Sequence, residues 1–298
     1  MDIDKILPTN DVMFKIIFGD KRHSRILIHF LNAVIQPESP IVNVDIKPTE
    51  LTSDTVSQKG VRLDILAISD DGSQINVEMQ KSAAPHMVAR ALFYWSKVFA
   101  AQLVVGEKYE DLHQTISINI LDFKLFEKDE RFWKKYGITD LETNEKLTDL
   151  FELHFIELSK IKEVRKDSPI TFWIEFFKNP YSEQVKTLCD YVPEIKEAKE
   201  VFERAKVDPA AQELLRVREK ALIDYASDIK TAEDRGEKRG HKKGKEEGIS
   251  IGEDRERRKN ALAMKTNAHA MKADGLPNAL IAKYLGITET EVEKLLKE

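Results

Sequence analysis

The chain has 298 residues, of which 42% are hydrophobic and 33% charged, and its formal net charge is −5. This length allows one or two domains with a sizeable core. An apolar run long enough for a membrane helix is absent, the acidic start MDIDKILPTND is unlike a secretory signal, and the single Cys189 excludes a disulfide or a cysteine zinc cluster. We therefore expect a cytoplasmic protein without membrane contacts, in which nucleic-acid binding would depend on local patches of Lys and Arg.

The sequence pattern of the N-terminal part of the chain predicts both helices and strands. Residues 10–18 and 24–35 are expected to be helices, the first capped by Asn10 or Thr9 and ended by Gly19. Runs in which apolar and polar residues alternate, or which are rich in Ile and Val, predict strands. One long apolar run predicts a helix that packs on these strands. The strand runs are 41–46, 61–68, 74–80, 115–123 and 150–158, and the helix run is 84–105. This order predicts an α/β fold with a mixed central sheet flanked by helices.

The C-terminal part predicts helices only. Residues 190–230 are charged and helical in composition, and a nearly charge-balanced segment at 233–260 then repeats glycine at every fourth position. These glycines are Gly236, Gly240, Gly244, Gly248 and Gly252. Each glycine costs a helix about 1 kcal/mol relative to alanine, which favours a flexible linker. The alternative is a self-associating helix whose glycine stripe admits a second backbone.

The last residues resemble a helix-turn-helix, with a turn at Gly286 and a capping box formed by Thr288 and Glu291. The acidic second helix would repel phosphates, so a packing or dimer module is favoured over a DNA reader. We expect four parts: a domain of residues 1–185, a helical connector at 186–232, the charged glycine-repeat segment at 233–260, and a helical tail at 261–298.

Two acidic residues on consecutive predicted strands form the candidate chemical site. Gln80 shares a strand face with Glu78, because side chains two apart point the same way. A two-residue turn at 71–72 would turn Asp64 away from Glu78. A three-residue turn at 70–72, with glycine in the left-handed third position, or a bulge, would bring the two carboxylates together, and we expect this arrangement. Acidic residues in such a pattern are by themselves more typical of a solvated sheet face.

Four stretches carry a resemblance to a known family: PTNDVMFKIIFG, KGVRLDILAISDDGSQINVEMQ, RALFYWSKVFAAQLVVGEKY and ISINILDF. In order and spacing, from about residue 6 to 126, they resemble the Rpn recombination-promoting nucleases, also described as transposases of the PD-(D/E)XK nuclease superfamily. The glycine-repeat segment and the helical tail also look like this family's C-terminus. The resemblance implies a restriction-endonuclease-like core and metal-dependent cleavage of DNA.

The resemblance also implies roles for individual residues. The family's aspartate and glutamate fall on Asp64 and Glu78, which would bind Mg²⁺, with Mn²⁺ as the alternative ion. Gln80 stands where the wider superfamily has lysine, and it could orient the attacking water but carries no charge. Asp11 falls on the acidic position of the first core helix, where it could bind a second ion or a metal-bound water. A favourable charge at a helix N-terminus is the alternative interpretation.

The positive charge lost at Gln80 has candidate replacements. Arg62 shares the face of Asp64 by the period of two, and Lys59 precedes the same strand, although an ordinary surface role is the alternative for both. Arg90 and Tyr94 match family positions on the helix after the strands and could reach the DNA phosphate. The neighbouring aromatics, Phe93 and Trp95, are expected in the core.

These features predict a Mg²⁺-dependent DNA endonuclease acting in recombination, mobile-element processes or defence against foreign DNA. The alternative is a nuclease-fold DNA- or protein-binding module with weak or absent catalysis, controlled by a C-terminal oligomerisation region. Glutamine at position 80 favours the alternative, and the intact Asp64 and Glu78 oppose it. The expected partners are DNA and a further copy of the chain.

Overall fold

The architecture is a central mixed sheet between helices, seen in a computed structural model that describes residues 3–51, 61–83 and 85–297. The helices in these ranges are α1 (Asp11–Phe18), α2 (Ser24–Ile35), α3 (Met87–Ala100), α4 (Ile170–Lys178), α5 (Glu183–Tyr191), α6 (Pro193–Val207), α7 (Pro209–Ala273), α8 (Asn278–Leu285) and α9 (Glu289–Lys297). The strands are β1 (Val44–Lys47), β2 (Glu50–Leu51), β3 (Val61–Arg62), β4 (Ile65–Ser69), β5 (Gln74–Gln80), β6 (Thr115–Leu121), β7 (Trp133–Thr139) and β8 (Lys146–Glu157).

Six strands form the central sheet, in the order β1-β4-β5-β6-β8-β7. The β5–β6 and β6–β8 pairs are parallel, whereas the β1–β4, β4–β5 and β7–β8 pairs are antiparallel. The short strands β2 and β3 pair with each other outside this sheet. The predicted α/β fold with a mixed sheet is confirmed.

Helix α1 begins and ends where its sequence predicts. The side chain of Asn10 accepts hydrogen bonds from two N–H groups of the first turn, so Asn10 and not Thr9 is the N-cap. At the other end, the Gly19 N–H donates to the Lys15 carbonyl. One face of the helix is buried, through Met13, Phe14, Ile17 and Phe18. The opposite side of α1, which carries Lys15, is therefore held at a defined position beside the sheet.

Helices cover both faces of the sheet, and β5 divides its side chains between them. On one face, α1, α2, α4, α5, α6 and the start of α7 share a large core with apolar side chains of the sheet, among them Ile65, Ala67, Ile75, Val77 and Met79. On the other face, α3 packs on the sheet. Because strand side chains alternate, Asn76, Glu78 and Gln80 of β5 lie on the α3 face.

Several predicted boundaries differ from the structure. The predicted strand 61–68 is broken at residues 63–64, and its two halves pair with different strands, β3 with β2 and β4 with β1. The predicted helix 84–105 is shorter, and the first strand begins at Val44. Strand β7 was not predicted, because its sequence WKKYGIT is largely exposed and lacks the apolar alternation of a half-buried strand. It is an edge strand that depends on pairing with β8.

The chain divides into two compact units, residues 1–220 and 221–298. In the first unit, α5 and α6 belong to the main core through Val185, Leu188, Ile195, Ala198 and Phe202. This unit therefore continues beyond residue 185, where we expected the first part to end. The division into four parts at residues 1–185, 186–232, 233–260 and 261–298 remains a prediction.

The second unit contains the glycine-repeat segment and a small helical core. Residues 233–260 lie within α7, so this segment is helical, as the second of the two alternatives expected. The self-association of this helix stays a prediction. The tail core is formed by Ala268, Ile281, Ala282 and Val292. Gly286 has a φ of 67°, and Thr288 and Glu291 exchange the hydrogen bonds of the predicted capping box.

Across the described ranges, no helix has both the length and the apolar character needed to cross a membrane.

Candidate active site

The turn between β4 and β5 determines which side chains meet. The Ser69 N–H donates to the Ser73 carbonyl at 3.0 Å, so the turn contains three residues, and Gly72 occupies its third position with a φ of 87°. Ile65 pairs with Val77, and the register continues unchanged to the end of the strands. Asp64 therefore lies opposite Glu78. The predicted three-residue turn is confirmed.

A substitution at this turn tests its importance. In Gly72→Ala, the added Cβ would lie 2.5 Å from the His113 ring on a backbone that side-chain-bearing residues rarely adopt. We expect a loss of about 1–3 kcal/mol in the free energy of unfolding, measured by urea denaturation. The matched control is Gly137→Ala, where a Cβ meets no atom within 4 Å. An equal effect of both substitutions would contradict the strain at Gly72.

The break in the strand lets Asp64 bond directly with Glu78 and its neighbour. The Asp64 N–H donates to Glu78 Oε1 at 3.2 Å, and the Met79 N–H donates to Asp64 Oδ2 at 3.0 Å. Asp64 lies just before β4, so its N–H is available to a side chain. These two hydrogen bonds, from Asp64 to Glu78 and from Met79 to Asp64, therefore hold the two carboxylates side by side.

The electrostatics of this pair are unfavourable in the absence of a cation. Glu78 is only 2% exposed, and burial, followed by the neighbouring charge of Asp64, raises the pKa of Glu78 to about 8. The Asp64 N–H and the positive charges of Arg90 and Lys15 act in the opposite direction and lower it. A carboxyl group that binds its proton at neutral pH beside another carboxylate is a common feature of functional sites.

Gln80 completes the predicted trio. Its Nε2 donates to Glu78 Oε2 at 3.3 Å, as expected for two side chains on the same strand face. The amide gives the pair a hydrogen bond but no charge.

Lys15 is a member of the site that sequence reasoning missed. Its Nζ lies 3.2 Å from Asp64 Oδ1 and donates to the Leu63 carbonyl at 3.4 Å. The signal in the sequence was its place within the stretch PTNDVMFKIIFG, four residues after Asp11 and so on the same helix face. Nothing local indicated that this face would meet Asp64, because the contact joins positions 49 residues apart in the chain.

Helix α3 brings two of the predicted residues toward the pair. The Arg90 guanidinium lies 5.0 Å from the centre of the Tyr94 ring, and its charge acts on Glu78. Tyr94 packs on a small cluster of Leu63, Leu66 and Val98. The prediction for Phe93 is wrong, because this ring is exposed on the outer side of α3. Trp95, in contrast, is half-buried and donates to the Thr115 carbonyl at 2.7 Å.

Comparison with protein families identifies the chain. A family model described as PD-(D/E)XK nuclease family transposase matches residues 8–232, which include the whole site described above. The chain belongs to this family. Searches of curated proteins and of solved structures found no match. The mixed sheet flanked by helices agrees with the restriction-endonuclease-like core expected for a PD-(D/E)XK family member.

The other predicted site residues of this family member lie elsewhere or outside the described ranges. Asp11 forms an ion pair with Arg218 of α7 and accepts a hydrogen bond from the Val12 N–H. Arg62 instead has its Nε 3.9 Å from Glu50 Oε1, because the break after β3 ends the period of two on which its prediction depended. Lys59 lies outside the described residues.

The donor set fits a hard divalent cation. The carboxylates of Asp64 and Glu78 and a backbone carbonyl such as that of Met79 are the kinds of oxygen ligand that Mg²⁺ binds. Within the part of the chain that the structure describes, no cluster of three or more His, Cys, Asp or Glu side chains could hold a metal ion, so the carboxylate pair stands without a third acidic ligand. The raised pKa of Glu78 indicates a pair that a cation would stabilise.

Proposed function

We propose that this PD-(D/E)XK family member is a Mg²⁺-dependent DNA endonuclease that hydrolyses phosphodiester bonds, with Mn²⁺ as an alternative ion. The observation that supports the proposal best is the placement of Asp64 beside Glu78, where the Asp64 N–H donates to Glu78 and the Met79 N–H donates to Asp64. A role in recombination, mobile-element processes or foreign-DNA defence, and action in the cytoplasm, belong to the same proposal.

In this proposal, Asp64 and Glu78 hold the ion, with the Met79 carbonyl as a further oxygen ligand. When bound, Mg²⁺ supplies Lewis acidity at the phosphate and lowers the pKa of water. Gln80 keeps Glu78 in place and orients the attacking water through its amide. Arg90 lies on the helix above the pair, where its guanidinium can contact a phosphate of the DNA backbone.

The alternative is a nuclease-fold module that binds DNA or protein with little catalysis. The uncharged Gln80 favours this alternative, because a lysine would stabilise charge on the phosphate. Whether the chain is an enzyme or a binding module, a dimerising C-terminal region would regulate it. The proposal of an enzyme is preferred, because a binding module has no need of a buried Glu78 beside Asp64.

Cleavage of supercoiled plasmid DNA by the purified full chain tests the proposal. We expect nicking and linearisation with Mg²⁺ or Mn²⁺ and none with EDTA. Asp64→Asn should reduce the rate by about 10²- to 10³-fold, since it removes several kcal/mol of transition-state stabilisation.

The matched control is Asp70→Asn, an exposed carboxylate in the same hairpin. It should cleave at the wild-type rate. Cleavage that survives Asp64→Asn would show that the site is elsewhere. DNA binding without cleavage under any metal condition would favour the alternative.

A further inference from the structure

The strand position beside the buried Glu78 is uncharged in this chain. Gln80 occupies it, and its amide donates to Glu78. If the chain cleaves DNA as proposed, the negative charge that develops on the phosphate needs a positive group from elsewhere in the fold.

We propose that Lys15 is the catalytic cation of this site, contacting the scissile phosphate from helix α1. Its Nζ already lies 3.2 Å from Asp64 Oδ1, beside the Leu63 carbonyl at the break between β3 and β4. This inference rests on the proposed nuclease function.

The position of Lys15 is well defined, whereas its ammonium group remains accessible. The turns of α1 on both sides of it are anchored by fully buried Phe14 and Phe18. The Lys15 side chain is 34% exposed, so its end is in reach of solvent and of a ligand. A lysine on a flexible four-carbon stem suits this role, because its charge can move between a carboxylate and a phosphate.

The other cations that the structure describes near the site are placed less favourably. Arg90 lies over the Tyr94 ring, and Arg62 is directed toward Glu50. Asp11, one turn before Lys15 on α1, is neutralised by Arg218. Among the described residues, the charged groups that interact with Lys15 are therefore Asp64 and Glu78, the two proposed metal ligands. A divalent cation on these carboxylates would replace Lys15 as their counter-charge and free its ammonium group for the phosphate.

A charge-relocation experiment with the full chain tests this role. Lys15→Met should cleave plasmid DNA about 10²-fold more slowly than the wild type. The double variant Lys15→Met/Gln80→Lys, which moves the charge to the strand position, should regain at least about tenfold of that loss. The matched control is Lys21→Met, which removes a lysine that is ion-paired with the exposed Asp45 outside the site, and it should cleave as the wild type does.

Metal binding gives a second readout that does not depend on cleavage. In calorimetric titrations with Mn²⁺ and no DNA, Lys15→Met should bind the ion as tightly as the wild type or up to about tenfold more tightly, because a competing positive charge is removed. A purely structural ion pair predicts the opposite, a weaker site in the variant.

Three results would overturn the inference: a wild-type cleavage rate in Lys15→Met, loss of Mn²⁺ binding in that variant, or no recovery in the folded double variant. Should Lys15→Met fail to fold, Lys15→Arg and Lys15→Gln replace it, and the charged variant must cleave faster than the neutral one. A wild-type chain that cleaves no DNA with Mg²⁺ or Mn²⁺ would instead refute the proposed nuclease function.

Discussion

Glu78→Gln is expected to abolish cleavage and, in the absence of metal, to make the protein more stable at pH 8. The substitution removes a buried ionisable group and keeps an oxygen that can accept the hydrogen bond from the Asp64 N–H. The Gln80 amide donates to the other oxygen of Glu78, and it can rotate to present its own oxygen to the new NH₂ group. A residue whose replacement increases stability while removing activity is retained for function.

The sign of the stability effect follows from the pKa of Glu78. Burial and the charge of Asp64 raise this pKa from 4.5 to about 8 in the folded protein, whereas in the unfolded chain the group ionises near its ordinary value. Between these two values the unfolded chain releases a proton that the folded protein keeps, so the free energy of unfolding of the wild type falls as pH rises through this window. We expect Glu78→Gln to be more stable at pH 8 by about 2–4 kcal/mol.

Urea denaturation in EDTA at pH 5 and pH 8 measures this difference. The gain in stability of Glu78→Gln should be small at pH 5 and large at pH 8. Asp70→Asn, in the exposed part of the hairpin, should change the pH dependence little. A Glu78→Gln protein that is destabilised equally at both pH values would contradict the raised pKa and indicate an ordinary structural carboxylate.

Lys160→Met is expected to destabilise the fold by about 3–5 kcal/mol, because it leaves a buried charge without its partner. Lys160 and Glu157 are 6% and 1% exposed, and their charged atoms lie 2.7 Å apart. The Lys160 ammonium also donates to the carbonyls of Phe126 and Asp129, each at 2.6 Å. Glu157 in turn accepts from the Leu125 N–H at 2.6 Å. This cluster therefore fastens the segment after β6 to the end of β8.

Thermal and urea unfolding of Lys160→Met measure the loss. The control is Lys186→Met, which removes a lysine from an exposed ion pair with Glu183 and should not change stability measurably, because solvent screens such pairs. Equal stability of the Lys160→Met and Lys186→Met proteins would show that the buried pair contributes nothing to the fold.

The ion pair between Asp11 and Arg218 connects the site region to the long C-terminal helix. Arg218 lies on α7, whose first turns are buried in the main core through Ala211 and Leu215. Asp11 and Lys15 lie on the same face of α1, so this contact is one helical turn from the proposed catalytic cation. The role suggested for Asp11 in binding a second ion would require this ion pair to open.

Local sequence determined the features that depend on neighbouring residues. The stretch DDGS specified the three-residue turn, because glycine accepts the left-handed third position at little cost, and this turn then placed Asp64 opposite Glu78. The caps of α1 and the capping box at Thr288 were predictable for the same reason, since each motif satisfies backbone groups within a few residues.

Only the tertiary structure decided the features that depend on distant partners. The approach of Lys15 to Asp64, the diversion of Arg62 toward Glu50 and the formation of the edge strand β7 each depend on segments remote in the chain. The separation of β3 from β4 belongs to the same group, because each half of the predicted strand found a different partner. Periodicity describes the faces of a single element, and it carries no information about which other element will meet them. The sequence by itself therefore predicted the carboxylate pair, whereas the cation beside it emerged only from the packing of α1 against the end of the sheet.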